Sequence, residues 1–124
     1  MTHLDTSFLI RGLSAGTPEY AQLRAWVRDA RPLTVAAPAW AEFLCGPMSA
    51  EDLSVAAGLF GDVMPFGAQQ APLAAELFNV AGRRRGIFTD CMIAATAIVA
   101  RAPLATANVA DFERFVPLGL RLAH

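Results

Sequence analysis

Four oxygen-bearing side chains are placed where they could form one chemical site. Asp5 follows a short apolar segment, Asp90 begins a predicted helix, Asn108 follows another apolar segment and Glu42 lies within a predicted helix. Clustered carboxylates repel one another, so they must either bind a cation or take up protons. Oxygen ligands without a His or Cys partner favour Mg²⁺ or Mn²⁺ over Zn²⁺. Such an ion can orient a water molecule for attack on a phosphoryl group.

Each of these side chains also has a purely structural explanation. An acid at a helix start stabilises the helix dipole, which would account for Asp5 and for Asp90 after a capping Thr89. Glu42 could be an exposed helix residue. However, each acid lies within a strongly apolar segment, where a solvated surface charge is less expected. We therefore prefer the hypothesis of a shared site.

The elements that must position these residues alternate between strands and helices. Strands are predicted over 2–5, 33–36, 63–66, 104–105 and 120–122. Helices are predicted over 6–13, 17–30, 38–44, 51–60, from 72 to the arginines at 83–85, and over 90–101. This order predicts a single α/β domain over residues 1–124, with a parallel sheet sandwiched between helices. Ligands of such sheets bind beyond the carboxyl ends of the strands, where Asp5 and Asn108 are expected.

The composition excludes several classes of protein. Of the 124 residues, 55% are apolar and 17% are charged, which argues against disorder. The apolar tract CMIAATAIVA is far shorter than the roughly 20 residues that span a bilayer, so no membrane association is expected. No basic leader with an apolar core opens the chain, which predicts that it is not exported. Cys45 and Cys91 lack metal-binding or redox spacing and are predicted to be buried thiols in a reducing cytoplasm.

Four motifs resemble those of one known family. They are LDTS at the N-terminus, AEFLCG around Glu42, TDCMIAATA at Asp90 and LATANVADFERF near the C-terminus. In this order they resemble the PIN-domain family and, more narrowly, the VapC-type toxins of bacterial type II toxin–antitoxin pairs. The resemblance covers essentially the whole chain. It implies a PIN-like fold, a Mg²⁺- or Mn²⁺-dependent endoribonuclease in the cytoplasm, RNA hydrolysis that leaves a 3′-hydroxyl and a 5′-phosphate, a cognate antitoxin and a homodimer.

The same resemblance implies roles for individual residues. Asp5 and Asp90 are expected to hold the metal ion, and Glu42 to ligate it or to orient the attacking water. Where many PIN domains have a fourth acid, this chain has Asn108, with Asp111 one turn later. An uncharged amide puts a second metal ion in doubt. Alternatively, Asn108 caps a helix and Asp111 closes a capping box.

Other candidates have weaker support. Thr6 and Ser7 could position Asp90 or a metal-bound water, or could simply begin a helix. All ten basic residues are arginines, and Arg83, Arg84 and Arg85 form the only cluster. These arginines are predicted to end a helix, where cations stabilise the dipole, and they could also bind RNA phosphates. A formal net charge of −1 does not by itself indicate a nucleic-acid-binding protein.

Two other functions fit parts of the sequence. A haloacid-dehalogenase-type phosphatase would also have an Asp after its first strand, followed by Thr. That family needs a second Asp where this chain has Ser7, and a Lys, which this chain lacks. A non-catalytic PIN scaffold that binds RNA or protein is the second alternative, but the presence of all three acids argues against it.

Overall fold

The chain folds around a short parallel β-sheet flanked by helices, in a computed structural model that describes residues 1–123. In chain order the elements are β1 (Thr2–Leu4), α1 (Thr6–Gly12), α2 (Pro18–Arg28), β2 (Leu33–Val35), α3 (Ala37–Cys45), α4 (Ala50–Leu59), α5 (Ala71–Val80), α6 (Phe88–Val99), β3 (Leu104–Ala105) and α7 (Val109–Glu113). A single 3₁₀ turn follows at Val116–Leu118. The predicted α/β class is confirmed.

The sheet has three parallel strands in the order β2-β1-β3, so β1 is central. Leu4 pairs with Val35 on one side and with Ala105 on the other. Every residue of the three strands is buried, as expected where helices cover both faces of a parallel sheet. The carboxyl ends of the three strands therefore lie side by side at one edge.

Two predicted strands are reduced to single bridges. Within 63–66 only Met64 pairs, with Ala36, and within 120–122 only Leu122 pairs, with Leu104. Pro65 has no amide hydrogen to extend the first of these ladders.

Two of the predicted N-terminal helix caps are confirmed and one is wrong. Thr17 and Ser49 are N-caps, because their hydroxyls accept hydrogen bonds from Tyr20 N and Asp52 N at 3.0 Å. The predicted cap at Thr89 is wrong, because α6 already begins at Phe88. The ring of Phe88, the first residue of α6, packs edge-on against Phe78 of α5 with centroids 5.2 Å apart.

Two apolar cores hold the sheet between the helices. One core contains Leu77 of α5 and Ile93 of α6 together with Phe112 and Phe115. The other contains Leu4 of β1 with Leu23 and Trp26 of α2. Cys91 is buried as predicted, whereas Cys45, at the end of α3, is exposed. No helix within residues 1–123 is long and apolar enough to cross a bilayer.

Candidate active site

Six predicted site residues line one pocket at the carboxyl ends of the strands. The pocket has a volume of about 230 Å³. Its polar lining consists of Asp5, Thr6, Ser7, Glu42, Asp90 and Asn108, and its apolar lining of Ile10 and Ile93. These residues come from the end of β1 and the start of α1, from α3, from the first turns of α6 and from the loop before α7. The fold thus brings together side chains from four separate parts of the sequence.

Asp5 caps helix α1 and also lines this pocket. The residue is 3% exposed, and its carboxylate accepts hydrogen bonds from Phe8 N at 2.8 Å, from Ser7 Oγ at 2.8 Å and from Thr106 Oγ1 at 2.6 Å. Burial raises the pKa of Asp5, the three hydrogen bonds oppose that rise, and the charge of Glu42 adds to it. The helix-start explanation of Asp5 and the site hypothesis are therefore compatible.

Thr106 is a site residue that the sequence analysis did not single out. It follows β3, and besides donating to Asp5 its hydroxyl accepts a hydrogen bond from Asn108 N at 2.9 Å. The hydroxyl of Ser7 accepts from Ala107 N at 3.1 Å. The signal was present in the motif LATANV, where a threonine directly follows a strand that neighbours the strand of Asp5. Thr106 and Ser7 together fix the orientation of the Asp5 carboxylate.

The hydroxyls of Thr6 and Ser7 do not bond Asp90, which was one of the two contacts predicted for them; the other, to a metal-bound water, stays a prediction. Thr6 Oγ1 donates to Glu42 Oε1 at 2.7 Å, and Ser7 bonds Asp5 instead. The first turn of α1 lies between the end of β1 and α3, so its hydroxyls reach the acids of those two elements. Thr6 therefore orients Glu42.

The pKa of Asp90 is shifted by several other charged residues in and near the site. Burial, followed by the negative charges of Glu42, Asp111 and Asp5, raises the pKa of Asp90 to about 6, while Arg114 opposes the rise. Such coupling requires the acids to lie close together, because charge interactions weaken with distance. Strongly perturbed carboxyls in a pocket are typical of functional sites.

Asn108 and Asp111 lie in different surroundings. Asn108 precedes α7, but its side chain makes no capping hydrogen bond and instead lines the pocket. Asp111 lies outside the lining, with Oδ1 at 3.8 Å from Arg114 Nη2. Its carboxylate makes no hydrogen bond with Asn108 N, which donates to Thr106 instead. Neither the cap nor the capping box forms.

The three consecutive arginines lie past the end of a helix rather than within it. Helix α5 ends at Val80, and Gly82, with φ of +85°, reverses the chain. Arg83 N donates to Phe78 O at 2.9 Å and Gly82 N to Asn79 O at 3.2 Å, which is a Schellman turn. Arg83, Arg84 and Arg85 are therefore exposed in the loop between α5 and α6, and none of them lines the pocket.

A larger cavity of about 580 Å³ lies elsewhere, between α2 and α4. Its lining is mainly apolar and includes Leu23, Val27 and Val55. The acids beside it, Glu51 and Asp52, are in the first turn of α4, where they stabilise the helix dipole. We place the chemistry in the smaller pocket because buried and mutually coupled carboxyls occur there.

The donor set of the smaller pocket fits a hard cation. Its polar lining contains carboxylate, hydroxyl and amide groups, with no His, Cys or Lys. Within residues 1–123, no group of three or more Asp, Glu, His or Cys side chains is arranged so that it could hold a metal ion. Mg²⁺ does not need such a group, because proteins commonly bind it through one or two carboxylates and leave it several waters. Asp5 and Asp90 could supply those two carboxylates.

Comparison with known proteins gives the same fold. A family model described as PIN domain matches residues 3–116. The chain is similar in structure to VapBC2 from Rickettsia felis bound to a DNA fragment from their promoter, with a TM-score of 0.77 and 21% identity over 98% of this chain and 96% of that chain. The chain is also similar to FitAcB from Neisseria gonorrhoeae, with a TM-score of 0.74 and 21% identity over 100% of this chain and 97% of that chain. It is similar as well to a toxin–antitoxin complex from Klebsiella pneumoniae, with a TM-score of 0.71 and 23% identity over 90% of each chain. No match was found among curated proteins.

Proposed function

The chain belongs to the PIN domain family, and from this premise we propose that it is a metal-dependent endoribonuclease that acts as the toxin of a type II toxin–antitoxin pair. The observation that carries the proposal is the pocket in which Asp5, Glu42 and Asp90 meet, with the pKa of Asp90 raised to about 6. A cluster of coupled carboxyls with no basic residue in its lining favours a divalent cation. Mg²⁺ is the expected ion, and Mn²⁺ could replace it.

The proposed partners are a cognate antitoxin and a second copy of the chain. The similarity to a toxin–antitoxin complex from Klebsiella pneumoniae supports the antitoxin. Exposed apolar side chains, among them Val80 at 60% and Val55 at 50%, offer surfaces that a partner chain could cover. The substrate is RNA, and the expected place of action is the cytoplasm.

The proposed reaction is hydrolysis of a phosphodiester bond. The oxygen of a water molecule bonds to phosphorus and the bond from phosphorus to the 3′-oxygen breaks, which leaves a 5′-phosphate and a 3′-hydroxyl. Glu42, held by Thr6, orients the attacking water and accepts its proton. The leaving 3′-oxygen takes a proton from solvent. Ser7 and Thr106 keep the Asp5 carboxylate facing the pocket.

When bound by Asp5 and Asp90, Mg²⁺ would stabilise the negative charge that develops on the phosphoryl group. Asn108 adds a neutral oxygen to the pocket, and Asp111 contributes from outside through its charge on Asp90.

The function is tested by a cleavage assay with two substrates. The protein is incubated with single-stranded RNA or with a generic phosphomonoester, in Mg²⁺, in Mn²⁺ or in excess chelator. We expect metal-dependent RNA cleavage with 5′-phosphate ends and no release of phosphate from the monoester. Hydrolysis of the monoester alone would favour a phosphatase, and RNA binding without cleavage in any metal would favour a non-catalytic binding module.

We further propose that Arg83, Arg84 and Arg85 contact RNA phosphates outside the pocket. Replacing all three by Gln should weaken RNA binding and flatten its salt dependence, by about 0.7 in log–log slope for each lost contact. Cleavage of saturating RNA should change much less. The matched control replaces Arg24, Arg28 and Arg31, which removes the same charge from another surface. Equal slopes in the two triple variants would show that the loop arginines have no special role.

A further inference from the structure

Arg114 differs from the other nine arginines in its burial. Its side chain is 26% exposed, whereas the remaining nine arginines are all exposed residues. It ends α7, the short helix that begins just after Asn108 of the pocket. Its guanidinium lies 5.8 Å from the ring centroid of Phe115, which is 1% exposed and anchored in the core. The fold therefore holds this cation beside the site rather than in open solvent.

The charge of Arg114 acts on Asp90, one of the acids of the pocket, and on the neighbouring Cys91. Burial raises the pKa of both the Asp90 carboxyl and the Cys91 thiol, and the positive charge of Arg114 opposes the rise in each. Within residues 1–123 no other basic residue acts on Asp90 in this way. Helix α7 also packs against α6, which carries Asp90. Arg114 is thus the cation that accompanies the acidic pocket.

The hydrogen-bonding capacity of Arg114 is not used by the described part of the chain. A guanidinium has five N–H donors in a planar fork. The nearest carboxylate, Asp111 Oδ1, lies 3.8 Å from Nη2, which is longer than a hydrogen bond. The Asp111 side chain is 53% exposed, and an exposed pair of this kind contributes little to stability. A structural ion pair therefore does not account for a half-buried arginine at this position.

We propose that Arg114 binds a non-bridging oxygen of the phosphate that is cleaved. This inference rests on the proposed ribonuclease function and names a substrate-binding residue of the same site. The acids of the pocket repel a phosphodiester, and a cation beside them lessens that repulsion. Negative charge on the phosphoryl oxygens must be stabilised while the water oxygen bonds to phosphorus and the bond to the 3′-oxygen breaks. The forked donors of arginine match phosphate oxygens better than the point charge of lysine.

The test compares Arg114→Ala and Arg114→Lys with the wild-type protein and with Arg28→Ala. Arg28 is exposed on α2, which does not line the acidic pocket, so its removal controls for charge. Removing one hydrogen-bond donor that faces charge developing in the transition state typically lowers the catalytic rate by about 10²-fold or more. We expect a decrease of that size in kcat/KM for Arg114→Ala. Arg114→Lys should retain part of the activity. Arg28→Ala should cleave RNA like the wild type.

Chemical rescue separates phosphate binding from a structural role. Millimolar guanidinium ion should restore cleavage by Arg114→Ala, whereas urea, which is neutral and similar in shape, should not. Loss of activity without rescue by guanidinium, or normal cleavage by Arg114→Ala, would overturn the inference. If Arg114→Ala does not fold, Arg114→Lys decides, because wild-type kinetics in that variant would exclude forked binding. Absence of RNA cleavage by the wild-type protein would instead refute the ribonuclease proposal itself.

Discussion

Replacing either Asp5 or Asp90 by Asn should reduce RNA cleavage by about 10²-fold or more, since each substitution removes a negative charge that the proposed metal ion would need. Asn keeps the shape of the side chain and one oxygen. It also caps helices about as well as Asp, so Asp5→Asn should preserve the bond from Phe8 N that begins α1. Asp5→Ala would remove both the charge and the cap, and would confuse loss of activity with loss of structure.

The measurement is the rate of metal-dependent RNA cleavage by folded protein, with folding checked by circular dichroism and thermal melting. Asp29→Asn is a suitable control, because Asp29 has a 68% exposed side chain at the end of α2. It should cleave RNA at the wild-type rate. Near-normal cleavage by a folded Asp5→Asn or Asp90→Asn protein would contradict the metal-site assignment.

Asp90 should make the metal-free protein less stable as the pH rises. Its pKa is 3.8 in an ordinary environment and about 6 in the fold, so the folded state holds a proton that the unfolded chain has released. Its destabilising effect is absent below about pH 4, grows as pH rises through the folded pKa, and is complete above it. Allowing for partial exposure, the cost at pH 7 is about 1 to 2 kcal/mol.

Asp90→Asn should therefore stabilise the metal-free protein at pH 7 and have little effect at pH 4. His3 changes stability in the opposite sense, because burial lowers its pKa to about 4 and stability falls as pH falls below 6.5. The quantity to measure is thus the difference in unfolding free energy between wild type and Asp90→Asn at each pH. A difference that does not vary between pH 4 and pH 7 would contradict the raised pKa.

The same proteins test where the ion binds. Mg²⁺ should raise the melting temperature of the wild-type protein, because it binds only the folded site. That increase should vanish in Asp90→Asn and become larger in Asn108→Asp, which adds a charged oxygen to the pocket. Equal shifts in wild type and Asp90→Asn would place the ion elsewhere, and an unchanged titration in Asn108→Asp would exclude Asn108 from the metal site.

The features that the sequence predicted correctly are those set by local interactions. The caps at Thr17 and Ser49, and the helices that follow them, depend on residues within one turn. The three sheet strands were recognised because they are short apolar segments between helices. The positions of Asp5 and Asn108 beyond the carboxyl ends of parallel strands were predicted correctly. That prediction depends on the order of strands and helices rather than on distances.

The errors concern features that depend on distant residues or on backbone conformation. Strands at 63–66 and 120–122 shrink to bridges, because the length of a strand is set by its partner. The arginines fall outside α5 because Gly82 adopts a left-handed conformation that hydrophobic periodicity does not reveal. Thr106 was overlooked because its bond to Asp5 spans 101 positions. The position of a hydroxyl relative to an acid that far away follows only from the assembled sheet.

That long separation also determines when the pocket can form during synthesis. Strand β1 leaves the ribosome first, yet one of its two partners, β3, and the hydroxyl that holds Asp5 are translated about a hundred residues later. Contacts so distant in sequence form late in folding. A nascent chain that carries Asp5, Glu42 and even Asp90 still has an incomplete sheet and lacks the hydrogen bond from Thr106 to Asp5. The acidic pocket is therefore completed only after the last strand, β3, has left the ribosome.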